Sequence, residues 1–236
     1  DRTAAIARAH PLGVDVVETD VPSKVVALNL GDAAVRVFPR AYVDADVEMD
    51  AASLRAAIGV LDDGSNGDTV LCSAPPMELD LAGVPWFVRS FYRAFGELPY
   101  LADDLVGNGV YVLAEQGRAR FDRFPELTAD DLFVRNLFSP SERRSSTTGR
   151  FVVHPPRTLA GLIAIRQRGY RGNAGYAASG LGSAAESTFS PRRLLAGWVR
   201  HPLDMTTFIV INVAAKLKLR FASGGHRWER DESSRT

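Results

Sequence analysis

Two carboxylates separated by one residue, Asp44 and Asp46, are the strongest chemical signal in this sequence. They follow Ala41-Tyr42-Val43, a short apolar segment typical of a buried strand. Hard divalent cations take oxygen ligands, commonly one or two carboxylates completed by water and phosphate oxygens. The spacing is therefore compatible with a site for a metal ion and a diphosphate at a strand end. A role in a turn or helix cap is the alternative for both residues.

A second acidic pair, Asp130 and Asp131, lies where the pattern predicts the start of a short amphipathic helix. The helix dipole favours carboxylates at this position, so capping is one interpretation. The chemical interpretation is a general base, in which one carboxylate takes the proton of an attacking hydroxyl and the other is held by hydrogen bonds.

Gly107-Asn108-Gly109 is the third candidate, because glycines permit a tight turn and the close approach of a ligand. A plain turn is the alternative. The four histidines have neither the spacing of metal ligands nor an evident nucleophile as partner, and we assign them no role. The single cysteine, Cys72, falls in a predicted strand and is expected in the core.

Helices and strands alternate along the part of the chain that must position these residues. The periodicities and caps predict helices at 1–9, after Ser23, after Asp50, and at 84–95, 130–138 and 159–169. They predict strands at 14–17, 41–43, 69–73, 110–113 and 151–153, with a polar loop at 139–149. This alternation predicts an α/β fold with a mostly parallel sheet and helices on both faces, which binds ligands at strand carboxyl ends.

The remainder of the chain changes in composition. Residues 174–190 are rich in small residues and predict a flexible connection, 191–222 predict two helices, and 223–236 predict a disordered tail. The apolar stretch after Pro202 is too short, and at Lys216, Lys218 and Arg220 too charged, to span a bilayer. Two interpretations stay open: 191–221 packs against the preceding domain, or it lies on an anionic membrane surface with help from Arg192, Arg193 and Arg200.

The composition is that of a globular protein. Of 236 residues, 46% are hydrophobic and 24% are charged, with 28 basic side chains balancing 28 acidic ones. This balance argues against disorder of the whole chain and against binding of nucleic acid mainly through phosphate neutralisation. One cysteine cannot form an internal disulfide, so we expect a cytoplasmic protein.

The order of the motifs is more informative than any one of them. The chain reads Lys24-x-x-Ala27-Leu28-Asn29-x-Gly31, then Asp44-x-Asp46, then Gly107-Asn108-Gly109, then Asp130-Asp131. This order resembles the inverting family-two glycosyltransferases of the GT-A fold, over residues 1–173. The resemblance implies a GT-A-like domain that moves a hexosyl group from a nucleotide-diphosphate sugar to an acceptor hydroxyl with inversion.

The resemblance also implies roles for individual residues at the donor side. Lys24 and Asn29 are expected beside the nucleotide. Asp44 is expected to touch the ribose or the metal, and Asp46 to bind the Mg²⁺ or Mn²⁺ that bridges the diphosphate.

At the acceptor side, the resemblance implies that Asp131 is the catalytic base, with Asp130 where relatives often have Glu. Gly107, Asn108 and Gly109 are expected to shape the acceptor pocket. The acceptor itself is not identified, and a lipid-linked one would suit a location at the inner face of a membrane.

Two departures from the family pattern leave alternatives open. Relatives begin with a strand and an acidic turn, and Asp1-Arg2-Thr3-Ala4 resembles only the end of that turn. A truncated homologue, inactive or limited to binding, is therefore one alternative, and a sugar-phosphate nucleotidyltransferase is another. The Gln-x-x-Arg-Trp motif of processive synthases is only partly matched by Gln167-Arg168-Gly169-Tyr170-Arg171, which favours transfer of single sugars.

Overall fold

A computed structural model of the chain describes residues 2–61, 69–96, 109–181 and 197–221. The α-helices named below are α1 (Thr3–Arg8), α2 (Lys24–Ala34), α3 (Ala51–Ile58), α4 (Trp86–Gly96), α5 (Glu115–Arg118), α6 (Asp130–Asn136), α7 (Leu159–Ala178) and α8 (Pro202–Phe221). The strands are β1 (Arg40–Val43), β2 (Val47–Met49), β3 (Cys72–Ala74), β4 (Met77–Leu79), β5 (Val110–Leu113), β6 (Arg143–Ser145) and β7 (Phe151–Val153).

The described strands form two small mixed sheets, with the orders β1-β5-β3-β6 and β2-β7-β4. The pairs β1/β5, β3/β5 and β2/β7 are antiparallel, whereas β3/β6 and β4/β7 are parallel. The fold is therefore α/β, but the prediction of a mostly parallel sheet is wrong for these strands. Short apolar strands buried on both sides look alike in sequence whichever way they run, so the alternation of helices and strands did not report their direction.

Helices cover both faces of the four-stranded sheet, as predicted. Successive side chains of a strand point to opposite faces. On one face Ser73 of β3 donates a hydrogen bond to the carbonyl of Ala57 in α3, over 2.7 Å. On the other face Cys72 lies in a core cluster with Val25 of α2 and Val134 of α6.

The caps predicted at Ser23 and Asp50 are present, whereas the cap considered for Asp130 or Asp131 is not, because α6 begins after Ala129 without a side-chain cap. The Ser23 hydroxyl accepts a hydrogen bond from the amide of Val26 at 3.4 Å and opens α2. The Asp50 carboxylate accepts one from the amide of Ser53 at 2.6 Å and opens α3. Each cap satisfies a backbone donor that the first helical turn leaves free, which fixes where the helix begins.

Two segments differ from their predictions. Residues 14–17 form no strand, and the side chains of Val14 and Val17 are 47% and 52% exposed. A β-branched run becomes a strand only where a neighbouring strand pairs with it, and no described strand does so here. The predicted polar loop at 139–149 contains β6, which pairs with β3 through backbone bonds although its Arg143-Arg144-Ser145 sequence has no apolar signal.

A second core cluster joins three helices. Val88 and Phe91 of α4, Leu162 of α7, and Phe208 and Ile211 of α8 are buried against one another. Helix α7 continues to Ala178, past the end predicted at 169 and into the predicted connection at 174–190. The predicted tail at 223–236 lies outside the described residues. No helix in the described ranges has the length and hydropathy of a membrane span.

A pair of glycines provides a test of this packing. Gly149 and Gly180 both have positive φ, 77° and 74°, but a Cβ at Gly149 would lie 2.6 Å from the Cα of Ser53, whereas one at Gly180 would meet nothing within 4 Å. We expect Gly180→Ala to lower the free energy of unfolding by about 1 to 2 kcal/mol from backbone strain alone. We expect Gly149→Ala to cost about 1 to 3 kcal/mol more, because α3 must shift.

Urea unfolding followed by circular dichroism measures both variants. Equal losses of stability in the two variants would show that Gly149 does not pack against Ser53 of α3 as described.

Candidate functional site

Three chain segments meet at the ammonium group of Lys24, the first residue of α2. Its Nζ lies 2.7 Å from an oxygen of Asp44, just after β1, and 2.9 Å from an oxygen of Asp130, the first residue of α6. The Asp130 side chain is only 3% exposed. A lysine in the first turn of a helix is disfavoured by the helix dipole, so the two carboxylates must offset that cost.

The pairing of β1 with β5 brings the glycine turn to the same place. The register continues past Val43, so the amide of Asp44 donates to the carbonyl of Gly109 at 2.7 Å. Gly109 has a φ of 93°, and a Cβ there would lie 3.1 Å from the Val47 side chain and 3.6 Å from an Asp44 oxygen. The close approach therefore requires glycine. Gly107 and Asn108 lie outside the described residues.

Two tyrosines that the sequence analysis gave no role lie beneath this group. Tyr42 and Tyr111 are opposite each other in the β1/β5 register, and their rings stack with centroids 4.9 Å apart. The Tyr111 hydroxyl is 3.5 Å from the second oxygen of Asp130. Burial raises the pKa of Tyr111 well above its usual value, so the phenol stays protonated. Side chains alternate between the two faces along β1 and β5, and this alternation was the sequence signal that could have identified the two tyrosines as a pair.

A buried acid, Asp32, binds the hydroxyl of Tyr42 and stabilises that side of the site. Asp32 of α2 accepts hydrogen bonds from the Tyr42 hydroxyl at 2.5 Å, from Arg40 at 2.7 Å and from Arg118 at 2.5 Å. Burial alone would raise the pKa of Asp32, but these donors, Arg118 first, lower it overall. Nothing in the sequence pattern relates Arg118 to Asp32, and sequence reasoning did not find this cluster.

The side chain of Asn29 in α2 forms hydrogen bonds within the protein. Its side-chain nitrogen donates to the carbonyl of Phe124 at 3.1 Å, and its side-chain oxygen accepts from the amide of the same residue at 2.8 Å. Both halves of the amide thus tie α2 to the segment that leads to Asp130. In this structure Asn29 positions the site, and its contact with a nucleotide stays a prediction.

Asp46 lies in the turn between β1 and β2 and is exposed. The amide of Val47 donates to the carbonyl of Asp44 at 3.3 Å across this turn. The turn role considered from the sequence is therefore present, and the Asp46 side chain remains open to solvent. In the parts of the chain that the structure describes, no cluster of three or more metal-binding side chains occurs.

The site carries more negative than positive charge. Burial lowers the pKa of Lys24, but the carboxylates of Asp130 and Asp44 outweigh it, and the pKa is raised overall. Burial raises the pKa of Asp44; Lys24 opposes this, while Asp130 and Asp46 add to it. A simple ion pair would lower the pKa of the acid, so the raised value reflects burial and the surplus of carboxylates around one ammonium group.

Asp131 has the protonation behaviour of a base that works near neutral pH. Its side chain is partly buried, and its carboxylate accepts a hydrogen bond from the amide of Leu132 at 2.8 Å. Burial, with a contribution from neighbouring Asp130, raises its pKa to about 6. A carboxylate with such a pKa is deprotonated at neutral pH and is a stronger base than an ordinary aspartate.

Scans of this chain against protein-family models, curated proteins and solved structures found no match. The structure brings Lys24, Asp44, Gly109 and Asp130 together. Asp131 lies beside them because it follows Asp130 in the chain. The structure leaves Asp46 on the solvent side of the turn and Asn29 among structural contacts.

The raised pKa of Asp131 predicts a pH dependence of stability. The folded protein holds this proton more tightly than the unfolded chain, whose value is near 3.8. Its contribution to the free energy of unfolding is therefore full below pH about 4 and is lost as the pH rises to about 6. We expect Asp131→Asn, which mimics the protonated form, to be more stable than the wild type near neutral pH, with the difference shrinking towards pH about 4.

Urea unfolding across this pH range measures the difference, and Asp122→Asn at an exposed position is the matched control. A difference between wild type and Asp131→Asn that does not vary with pH would contradict the raised pKa.

Proposed function

We propose that this protein is an inverting, metal-assisted glycosyltransferase of GT-A-like architecture that uses a nucleotide-diphosphate sugar and an acceptor hydroxyl. The observation that carries the proposal is the ion pairing of Lys24 with both Asp44 and Asp130. Together with the contact between Gly109 and Asp44, it joins segments of all four motifs that resemble the family. A lysine that pairs with an acid from each acidic motif, next to the glycine turn, supports the proposal.

The chemistry needs a base for the acceptor, and Asp131 supports that assignment. Its raised pKa of about 6 suits removal of a proton at neutral pH. Asp130, held by Lys24, positions the first turn of α6. Direct attack of the deprotonated oxygen on the anomeric carbon, with departure of the nucleoside diphosphate, inverts that centre.

The chemistry also needs a cation for the donor, and the excess of carboxylates at the site supports this part of the proposal. Asp44 and Asp130 pair with Lys24, while Asp46 adds negative charge near Asp44 and Asp131 adds it near Asp130, so a diphosphate would be repelled unless a further cation joined it. Carboxylate oxygens suit Mg²⁺ or Mn²⁺, with phosphate oxygens completing the set. Asp46 and Asp44 would hold the ion, which would stabilise the charge that develops on the leaving diphosphate.

The first test is product analysis with a panel of nucleotide-diphosphate sugars and simple hydroxyl acceptors. Release of free nucleoside diphosphate with a β-configured product from an α-configured donor supports transfer with inversion. Release of pyrophosphate in a parallel assay that supplies a nucleoside triphosphate and a sugar 1-phosphate would instead identify a nucleotidyltransferase, and donor binding without turnover would identify a protein limited to binding.

Asp46→Ala tests the metal assignment. We expect it to abolish the part of nucleoside-diphosphate affinity that depends on Mn²⁺ and to leave thermal stability unchanged, because the side chain is exposed and no core contact is lost. Calorimetric titration with and without Mn²⁺ measures this, and Asp20→Ala at another exposed position is the control. Equal Mn²⁺ dependence in both variants would rule out Asp46 as a ligand.

Asp131→Asn tests the base. We expect donor affinity to be kept and the turnover rate to fall by about a hundredfold to ten-thousandfold, because an amide keeps the shape but accepts no proton. Steady-state rates beside donor titrations separate these effects, with Asp122→Asn as the control. Near-normal turnover would leave Asp131 with only a structural role at the start of α6.

A further inference from the structure

Helix α8 is apolar on two opposite faces, and within the described ranges only one of them is covered. Met205, Phe208, Ile211 and Ala215 are buried and face α4 and α7. This result supports the interpretation that the C-terminal helix packs against the rest of the chain. It does not account for the opposite face.

The opposite face carries large apolar side chains in water. Leu203, Val210 and Leu217 are 62%, 59% and 47% exposed, and Val213 and Phe221 are 49% and 84% exposed. At 3.6 residues per turn, positions seven and fourteen apart return to nearly the same direction, so these side chains form one stripe. From Leu203 to Phe221 the stripe runs for about 27 Å. We call it the outer stripe.

Positive charges border the outer stripe. Lys216 and Lys218 fall on its two sides, Arg220 follows near its end, and all three are exposed. The Lys216 ammonium group lies 5.1 Å from the centre of the Tyr170 ring of α7. The one acidic residue of α8, Asp204, is turned away and accepts a hydrogen bond from Ser90 of α4 at 2.5 Å. An apolar stripe between basic side chains, without an acid, is the pattern of a helix that lies in the interface of an anionic bilayer.

The residues that precede α8 extend this surface. The indole nitrogen of Trp198 donates to the hydroxyl of Thr206, an exposed residue beside the outer stripe, at 3.2 Å. Trp198 is 49% exposed and Val199 is 71% exposed. Tryptophan is enriched at the level of lipid headgroups, where its ring is partly buried and its nitrogen finds polar partners. Arg200 is also exposed here, whereas Arg192 and Arg193 lie outside the described residues.

We propose that the outer stripe, with its bordering lysines, docks this protein on the surface of an anionic membrane. Anionic headgroups supply the counter-charge that the helix lacks, and the acyl boundary covers the apolar side chains. A second copy of the chain is a poorer occupant, because within the described helix α8 the exposed face of the copy carries no acidic side chain to meet Lys216, Lys218 or Arg220. The inference does not depend on the proposed function.

The experiment is sedimentation of the full chain with vesicles of phosphatidylcholine alone or mixed with phosphatidylglycerol, at low and high salt. We expect binding to the anionic vesicles only, weakened by salt. The double variant Val210→Glu/Leu217→Glu should bind at least about tenfold more weakly, because two exposed apolar side chains that the membrane would cover become charged. Lys218→Gln and Arg220→Gln should each weaken binding about fivefold.

Val37→Glu is the matched control, since Val37 is 71% exposed and lies outside α8. Thermal unfolding establishes that each variant is folded, and the two charge-removing variants keep the test informative if the double variant is not. No binding by the wild type, or equal binding by wild type and all α8 variants, would overturn the proposal. A wild-type dimer in light scattering that Val210→Glu/Leu217→Glu converts to a monomer would instead assign the outer stripe to self-association.

Discussion

The buried carboxylate of Asp130 is the constraint on which the site depends. A carboxylate with 3% exposure needs a positive partner, and Lys24 supplies it at 2.9 Å while also holding Asp44. Removing one partner of such a pair typically costs about 3 to 5 kcal/mol, because a charge stays buried without compensation. The requirement therefore fixes the start of α2, the end of β1 and the start of α6 relative to one another.

The surrounding contacts make that arrangement rigid. The Asn29 amide ties α2 to Phe124, and the Tyr42 hydroxyl ties β1 to Asp32 of α2. Helix α7 then links the two halves of the structure, since Tyr176 is buried in the core cluster beneath the site and Leu162 in the helical cluster with α8. Helix α7 thus packs both against the core beneath the site and against α8, whose outer face is apolar.

The sequence predicted local structure well where a side chain acts on its own backbone. Ser23 and Asp50 cap the helices that they were expected to cap, and residues 110–113 form the predicted strand. Predictions failed where a distant partner decides the outcome. The valines at 14–17 lacked a strand to pair with, whereas Arg143-Arg144-Ser145 gained one in β3. The direction of the strands was also not predicted correctly, because an apolar run of three or four residues looks the same in a parallel and in an antiparallel strand.

For the site, the sequence by itself determined which residue types were available and in what order: a lysine after a cap, two acidic pairs and a glycine turn. Only the tertiary structure decided how they are used. It pairs Lys24 with Asp44 and Asp130, leaves Asp46 exposed, and assigns Asn29 to Phe124. The physical reason is that a charge or an amide bonds to whatever the fold places within about 3 Å, and residues far apart in sequence supply that partner. Burial sets the pKa of Asp131 in the same way, through neighbours that no local pattern names.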